Sequence, residues 1–288
     1  MSTDLVHDSR VTRLIEIALM EDASMGDLTS EAIIPEDQLS RATFLCKADG
    51  VMAGLDIAGL VFRLVDSSIT LDPAVKDGAK VERGMVLGSL HGATRGILLG
   101  ERTALNILQR MSGIASLTRR FVDAVAGTGA RITDTRKTVP GLRALDKRAV
   151  VAGGGVNHRF GLDDMVLIKD NHIAAAGGIT PAVERCTAYL KEHHIAAAIE
   201  VETTNLDQVR EALACQGIAR IMLDNFRLND MEEAVRLINR AVETEASGGV
   251  TLETVRAIAE TGVDFISAGA LTHSVTALDI SLELSPHV

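Results

Sequence analysis

The residues in this sequence with types and spacing suited to chemistry come in three groups, sorted by charge along the chain. The first is cationic. Arg136, Lys137 and Arg143 fall within the ten residues DTRKTVPGLR, in a chain whose formal net charge is -10. His158 and Arg159 follow in GGGVNHRFGL, and Lys169 in MVLIKDNH. Between Arg131 and His172 eight Lys/Arg stand against five Asp/Glu, so this stretch is basic inside an acidic protein. A guanidinium offers a planar fork matched to carboxylates and phosphates, and an ammonium serves as a point charge. If these side chains converge, they bind a small ligand carrying several negative charges. If they do not, the same composition is a solvated loop. Gly153, Gly154 and Gly155 let the backbone approach a ligand or turn tightly, and a triple Gly alone is most often a flexible turn. His158 reads either as a donor to an anion beside Arg159 or as a structural imidazole. His172 is read as structural.

The second group is acidic. Glu200 and Glu202 lie two apart in AAIEVETT, so in a strand both face one side; if that side is the barrel interior, they approach Asp224 of RIMLDNF. Carboxylates there would hold Mg²⁺ or a ribose diol, because Mg²⁺ favours oxygen ligands and is bound together with substrate phosphates. One of the pair could instead neutralise a nearby Lys or Arg. Glu202, nearer the end of its run, is the favoured ligand contact, and the pattern leaves Glu200 open. The third group is small. Ser247, Gly248 and Gly249 in EASGGV, and Ser267, Ala268 and Gly269 in SAGAL, expose backbone N–H groups. A helix after each would point its positive end at the same spot, which suits a phosphate. Tight turns without a ligand look similar.

These groups need a frame that brings the ends of separate apolar runs together. After Ala130 the chain supplies one: RITDTRK, MVLIKDNH, AAIEVETT, RIMLDNF, AVETEASGG and DFISAGA each end in polar residues. Amphipathic helices such as NLDQVREALACQ and LNDMEEAVRLINRAV separate the later runs. Strands roughly 20 to 35 residues apart with helices between them predict repeated βα units and a parallel sheet. In a barrel of such units the ligand site lies at the C-terminal ends of the strands. The first third differs. Val11, Leu14, Ile15, Ala18 and Leu19 have helical spacing, a second helix runs through Ile57, Leu60, Val61 and Leu64, and Gly-punctuated short strands suit a small sheet. From Gly96 two helical stretches follow, ILLGERTALNILQRM and SLTRRFVDAVAG. The layout predicted is a small α/β domain followed by a barrel-like α/β domain.

Composition narrows the function classes. Of 288 residues 47% are hydrophobic and 24% charged, an ordinary globular balance with length enough for a large core. Aromatics make up 2%, with no Trp and one Tyr, so stacking platforms for bases are scarce; the negative charge also opposes wrapping nucleic acid. Cys46, Cys186 and Cys215 are odd in number and far apart, which suggests neither a disulfide framework nor a thiolate zinc site. MSTDLVHDSR has no apolar signal core, and no apolar run reaches membrane-spanning length. The expectation is a cytoplasmic protein that binds neither membrane nor nucleic acid.

Six blocks in the same order carry a family likeness. DTRKTVPGLR, GGGVNHRFGLDDMVLIKDNH, IEVET, LDNF, EASGG and ISAGALTHS closely resemble the quinolinate phosphoribosyltransferases, the carboxylating nicotinate-nucleotide pyrophosphorylases of NAD biosynthesis. ALMEDASMGDLTS and GERTALNILQRMSGIAS extend the resemblance nearly end to end. It implies an α/β fold with a small N-terminal α/β sandwich domain, about residues 1–112, and a C-terminal open α/β barrel of fewer than eight strands, about 113–273. The tail, about 274–288, would pack back on the first domain. It also implies a pentosyltransferase joining quinolinate to phosphoribosyl pyrophosphate with Mg²⁺, giving nicotinate mononucleotide, pyrophosphate and CO₂. The resemblance places Thr135, Arg136, Lys137, His158, Arg159 and Lys169 around the quinolinate carboxylates and the pyrophosphate. Glu202 and Asp224 would face the ribose hydroxyls and the metal, with Lys137, Lys169, Glu202 and Asp224 as the catalytic set. Ser247, Gly248, Gly249, Ser267, Ala268 and Gly269 would line the 5′-phosphate site. A homodimer is implied, with Arg102 lent to the neighbouring active site. A paralogue with another acceptor, or a non-catalytic anion-binding protein on the same scaffold, are the alternatives.

Overall fold

The computed structural model describes residues 5 to 286; the first four residues of the expected N-terminal domain and the last two of the expected tail lie outside the described residues. The chain divides into two compact units, one comprising the segment up to Arg119, Thr138–Gly154 and the segment from Ser274, the other Arg120–Lys137 and Gly155–His273.

In the first unit α1 (Ser9–Ala23) starts where the Asp8 side chain accepts the Arg10 N–H at 2.9 Å, and buries Val11 and Ile15. Asp27 caps α2 (Leu28–Ile33) by accepting from the N–H groups of Thr29 and Ser30. Strand β1 (Leu39–Cys46) turns Ala42, Phe44 and Cys46 inward at every second position, as a half-buried strand must. β2 (Gly50–Val51), α3 (Leu55–Val65), β3 (Thr70–Pro73), β4 (Lys80–Val81) and β5 (Val86–Ala93) follow. Phe62 of α3 meets Phe44 of β1 with ring centroids 6.2 Å apart at 59°. Burying one such ring contributes roughly 1.5–3 kcal/mol.

Helix α4 (Thr94–Ala124) is a single 31-residue helix where the pattern suggests two stretches around Gly113. A Cβ on Gly113 would collide with the carbonyl oxygen of Thr276, so this glycine lets the returning tail cross the helix closely and does not break it. The boundary expected near residue 112 falls inside α4. α5 (Arg143–Ala152) belongs to the same unit. Its Asp146, fully buried, accepts two hydrogen bonds from Arg110 at 2.9 and 2.8 Å, a geometry that keeps a buried carboxylate paired. The tail strand Ile280–Pro286 pairs antiparallel with β1, giving a four-stranded sheet in the order tail strand, β1, β5, β3.

The second unit holds β6 (Arg131–Thr133), β7 (Val166–Ile168), β8 (Ile199–Thr203), β9 (Ile218–Asp224), β10 (Glu243–Ser247) and β11 (Phe265–Ser267). They form one six-stranded sheet in the order β6-β11-β10-β9-β8-β7, every pairing parallel. Between them run α6 (Asp170–Ala176), α7 (Ile179–Glu192), α8 (Leu206–Ala214), α9 (Leu228–Ile238) and α10 (Val255–Glu260), and α11 (Ala270–His273) follows β11. β6 and β7 are the outer strands and do not pair, so this is the expected open barrel with fewer than eight strands. All five residues of β8 are buried, as a strand enclosed on both faces requires. The tail strand is β12. Among the described residues no helix is long and apolar enough to cross a membrane.

Candidate active site

The C-terminal strand ends of the second unit surround a cavity of about 640 Å³. Its cationic side begins with Asp134, fully buried after β6, which accepts the backbone N–H of His158 at 2.9 Å. Val156 N–H donates to Ile132 O at 2.9 Å, so the chain returns alongside β6 and brings His158 and Arg159 next to Thr135, Arg136 and Lys137. Thr135 Oγ1 accepts from Lys137 N–H at 3.0 Å and fixes that turn. Arg159 is nearly buried, and its Nη1 donates to Met165 O at 3.0 Å. Burial, then the neighbouring charge of Arg136, push the Arg159 guanidinium below its ordinary value. Arg136 Nε is itself buried without a hydrogen-bond partner. Two guanidiniums that repel each other, one with an unsatisfied buried N–H, are stable together when an anion fills the space beside them.

Lys169, just past β7, caps α6, and its Nζ lies 2.7 Å from Glu202 Oε2. His172 takes the structural role expected of it, its Nδ1 accepting from Lys169 N–H at 3.0 Å. Arg143, the third cation of DTRKTVPGLR, stands apart from the cavity lining; it belongs to the first unit and donates from Nε to Thr138 Oγ1 at 3.1 Å. Gly153 also belongs there. A Cβ on it would lie 2.5 Å from Ala115 O, so it serves close packing of α5 on α4.

The two glutamates of β8 part company. Glu202 lines the cavity and pairs with Lys169, while Glu200 is fully buried beneath it. Both face the same side, as the strand period demands, but they sit at different depths. Glu200 Oε2 lies 3.0 Å from His158 Nε2, and Glu245 Oε2 lies 3.5 Å from the same nitrogen. Arg220 donates to Glu245 Oε2 at 2.8 Å. Burial pushes both Glu200 and Glu245 up to about 7, against the pull of Arg220.

In this structure His158 is turned toward the protein. Its Nδ1 accepts from Arg159 N–H at 2.7 Å and its Nε2 faces the two glutamates, so both ring nitrogens are turned to the protein even though the residue lines the cavity. Among the described residues His158, Glu200 and Glu245 are also the His/Cys/Asp/Glu group close enough to share a cation, with ligand atoms within 4.8 Å of one another. Arg220 and Arg159 already lie against those carboxylates, so guanidiniums meet their charge.

Ser247, Gly248, Gly249 and Ser267 line the cavity, and Asp224 stands beside Ser247 in the β9–β10 register. Ala268 and Gly269 do not line it. Ala268 N–H donates to Thr133 O at 3.0 Å, which takes it from any phosphate. Of the helices expected behind these loops, only α11 begins directly after its loop, at Ala270. α10 starts at Val255, well past Gly249, and α11 is a single four-residue turn. Sequence reasoning missed Asn225, Glu245, Met222 and Leu167 in the lining. Asn225 was visible beside Asp224 in LDNF, and Glu245 in the run before SGG; the two apolar residues carry no chemical signal. Arg102 lies on α4 in the first unit, exposed, where it borders a separate cavity of about 420 Å³ with Arg110 and Asn106.

Comparison with known proteins matches this geometry to one family. Residues 27–112 match the profile described as quinolinate phosphoribosyl transferase, N-terminal domain, and residues 114–283 the C-terminal domain of the same family. A quinolinate phosphoribosyltransferase [decarboxylating] of Nicotiana tabacum is 49% identical over 286 residues, covering 94% of this chain and 81% of its own. The probable nicotinate-nucleotide pyrophosphorylase [carboxylating] of Bacillus subtilis is 43% identical over 276 residues, covering 96% of this chain and 94% of its own. The solved nicotinate-nucleotide pyrophosphorylase of Francisella tularensis superposes with a TM-score of 0.91 at 39% identity over 96% of each chain. The charged strand ends and these matches agree, and the chain belongs to the quinolinate phosphoribosyltransferase family.

Proposed function

We propose that this chain transfers the 5-phosphoribosyl group of phosphoribosyl pyrophosphate to quinolinate, giving nicotinate mononucleotide, pyrophosphate and CO₂ in de novo NAD biosynthesis. The observation that carries the reading is the Arg136–Arg159 pair, two adjacent guanidiniums with a buried unpartnered N–H beside a cavity that would admit a dicarboxylate. The quinolinate ring nitrogen attacks the anomeric carbon, its electron pair forming the new C–N bond as the C–O bond to pyrophosphate breaks and its electrons leave with the diphosphate. Cations beside the departing group stabilise its developing charge, while Glu202 and Asp224 tolerate positive charge on the ribose. Positioning of nitrogen against carbon supplies much of the rate. The bond from ring carbon to carboxylate then breaks, CO₂ leaves, and the electron pair remaining beside the cationic nitrogen takes up a proton.

Glu202 and Asp224 suit Mg²⁺ as hard oxygen donors in one cavity, but Glu202 already pairs with Lys169. That donor set fits an ion bound jointly with substrate phosphates, not one held in a protein cage. When bound, Mg²⁺ neutralises charge on the diphosphate. Lys137, exposed at the cavity, and Lys169 serve the diphosphate as movable point charges. Ser247, Gly248, Gly249 and Ser267 receive the 5′-phosphate. The reading includes a homodimer in which the exposed Arg102 completes the neighbouring site, and a cytoplasmic setting, in keeping with three unpaired cysteines.

The test is to incubate the purified protein with Mg²⁺, phosphoribosyl pyrophosphate and either quinolinate or nicotinate. Nicotinate mononucleotide and CO₂ are expected from quinolinate only. Silence with quinolinate from a folded protein rejects the reading, and turnover of nicotinate instead moves the chain to a different acceptor. For Arg102, mixing Arg102→Ala with Lys169→Ala chains is expected to restore part of the activity, and confirmed heterodimers that stay inactive would place the site within one chain.

A further inference from the structure

Asn225 is the cavity residue whose shape is most at odds with its surroundings. It follows Asp224, the last residue of β9, and adopts φ 56, in the left-handed region that costs most residues about 1–2 kcal/mol and Asn less. Its backbone N–H donates to Ser247 O at 2.9 Å, continuing the pairing of β9 with β10 one residue past the strand. The left-handed turn then folds its side chain back. Nδ2 donates to Asp224 Oδ2 at 2.7 Å, a short hydrogen bond to a carboxylate. On its other side the amide rests on the small-residue loop. A Cβ on Gly248 would collide with Asn225 Oδ1 and stand 2.9 Å from its backbone nitrogen. Gly248 therefore has no side chain where the Asn225 amide sits.

One planar amide thus touches both halves of the ribose-phosphate site, the carboxylate at the end of β9 and the loop at the end of β10. We infer that Asn225 is a positioning residue that sets the distance between Asp224 and the Ser247–Gly249 loop, and so selects sugar donors carrying both a ribose diol and a 5-phosphate. The inference rests on the proposed function for the identity of those two groups. Its physical basis is preorganisation. A furanose ring separates its diol from its 5-phosphate by a nearly fixed distance, and two-point binding gains only if both receiving points are already held at that separation.

Two variants separate this role from mere support. Asn225→Gly keeps the left-handed backbone and loses the amide. Asn225→Asp keeps the shape but sets a carboxylate against Asp224. Binding is measured for ribose 5-phosphate, which carries both groups, and for inorganic phosphate, which carries one, alongside KM for phosphoribosyl pyrophosphate and for quinolinate. Asn225→Gly is expected to weaken ribose 5-phosphate about tenfold, the size of one hydrogen bond to a charged group, and phosphate much less. KM for phosphoribosyl pyrophosphate should rise in step while KM for quinolinate holds, and Asn225→Asp should be worse than Asn225→Gly. Equal weakening of the two ligands, no weakening, or an Asp variant as good as Gly overturns the inference. Wild-type protein that binds ribose 5-phosphate but does not turn over quinolinate would sink the proposed function instead, and the comparison of the two ligands would still decide the role of Asn225.

Discussion

Phe62 and Glu200 are both fully buried, one in each unit, the first among hydrocarbon and the second among charged groups. Phe62 meets Phe44, and the first unit also buries Ile57, Leu87 and Leu90, with the doubly bonded Arg110–Asp146 pair as an enclosed ionic contact. Around Glu200 the second unit places His158, Glu245 and Arg220, and below them Arg220 and Arg131 stack on the Phe265 ring at 3.7 and 4.0 Å. Hydrocarbon interiors stabilise by removing apolar area from water. Buried ions do so poorly, because desolvation offsets most of their attraction. The barrel therefore gives up stability at this cluster. It keeps a column of paired charged and titratable groups beneath the cavity, against which cations and carboxylates can be held in place rather than free to collapse onto each other.

Three substitutions probe that contrast, in descending order of effect. Phe62→Ala should cost about 3–5 kcal/mol of stability, read as a shift of the denaturant midpoint, because it leaves a cavity in close-packed hydrocarbon. Its turnover per folded molecule should be unchanged. Arg136→Ala should do the opposite, lowering kcat/KM with quinolinate by about 100- to 1000-fold, as loss of one charge-stabilising donor does, while melting stays near wild type. A large loss of stability with Arg136→Ala would mean that the cation belongs to the fold and not to the ligand.

Glu245→Gln touches both properties. In the folded chain burial raises Glu200 and Glu245 from the ordinary 4.5 to about 7. Below that window folded and unfolded chains are both protonated. Inside it the folded chain keeps protons that the unfolded chain has released, so stability falls as pH rises and levels off above about 7. Removing one ionisable group should flatten that fall by at most about 3 kcal/mol. Parallel melting curves against pH for wild type and Glu245→Gln would show that the pair does not titrate there.

Much of this was legible in the sequence, and the exceptions have physical causes. The six strand runs after Ala130 were readable because each is short, apolar and closed by polar residues, and their order placed Arg136, Lys169, Glu202, Asp224 and Ser247 around one cavity. Period-two alternation says which face a residue is on but not its depth along a barrel, so Glu200 and Glu202 could not be told apart. Hydrogen bonding is equally invisible in one dimension. Nothing in the sequence shows that His158 Nδ1 accepts from Arg159 N–H with Nε2 facing Glu200, or that Ala268 N–H goes to Thr133 O. Gly113 interrupted a helical pattern for a reason that lies far along the chain, at Thr276.

The pairing of β12 with β1 also bears on how the protein is made. Ile280 pairs with Cys46 and Leu282 with Phe44, and the whole six-stranded barrel lies between these partners in the chain. During vectorial synthesis β1 is translated early and must wait, with one edge bare, until every barrel strand has left the ribosome. Such non-local pairing is slow, and an unpaired apolar strand edge is a template for association with other chains. The barrel can close before the sheet that precedes it. A nascent chain stalled or clipped short of β12 carries both an assembled cavity and an open β1, a species that chaperones or proteases would have to clear.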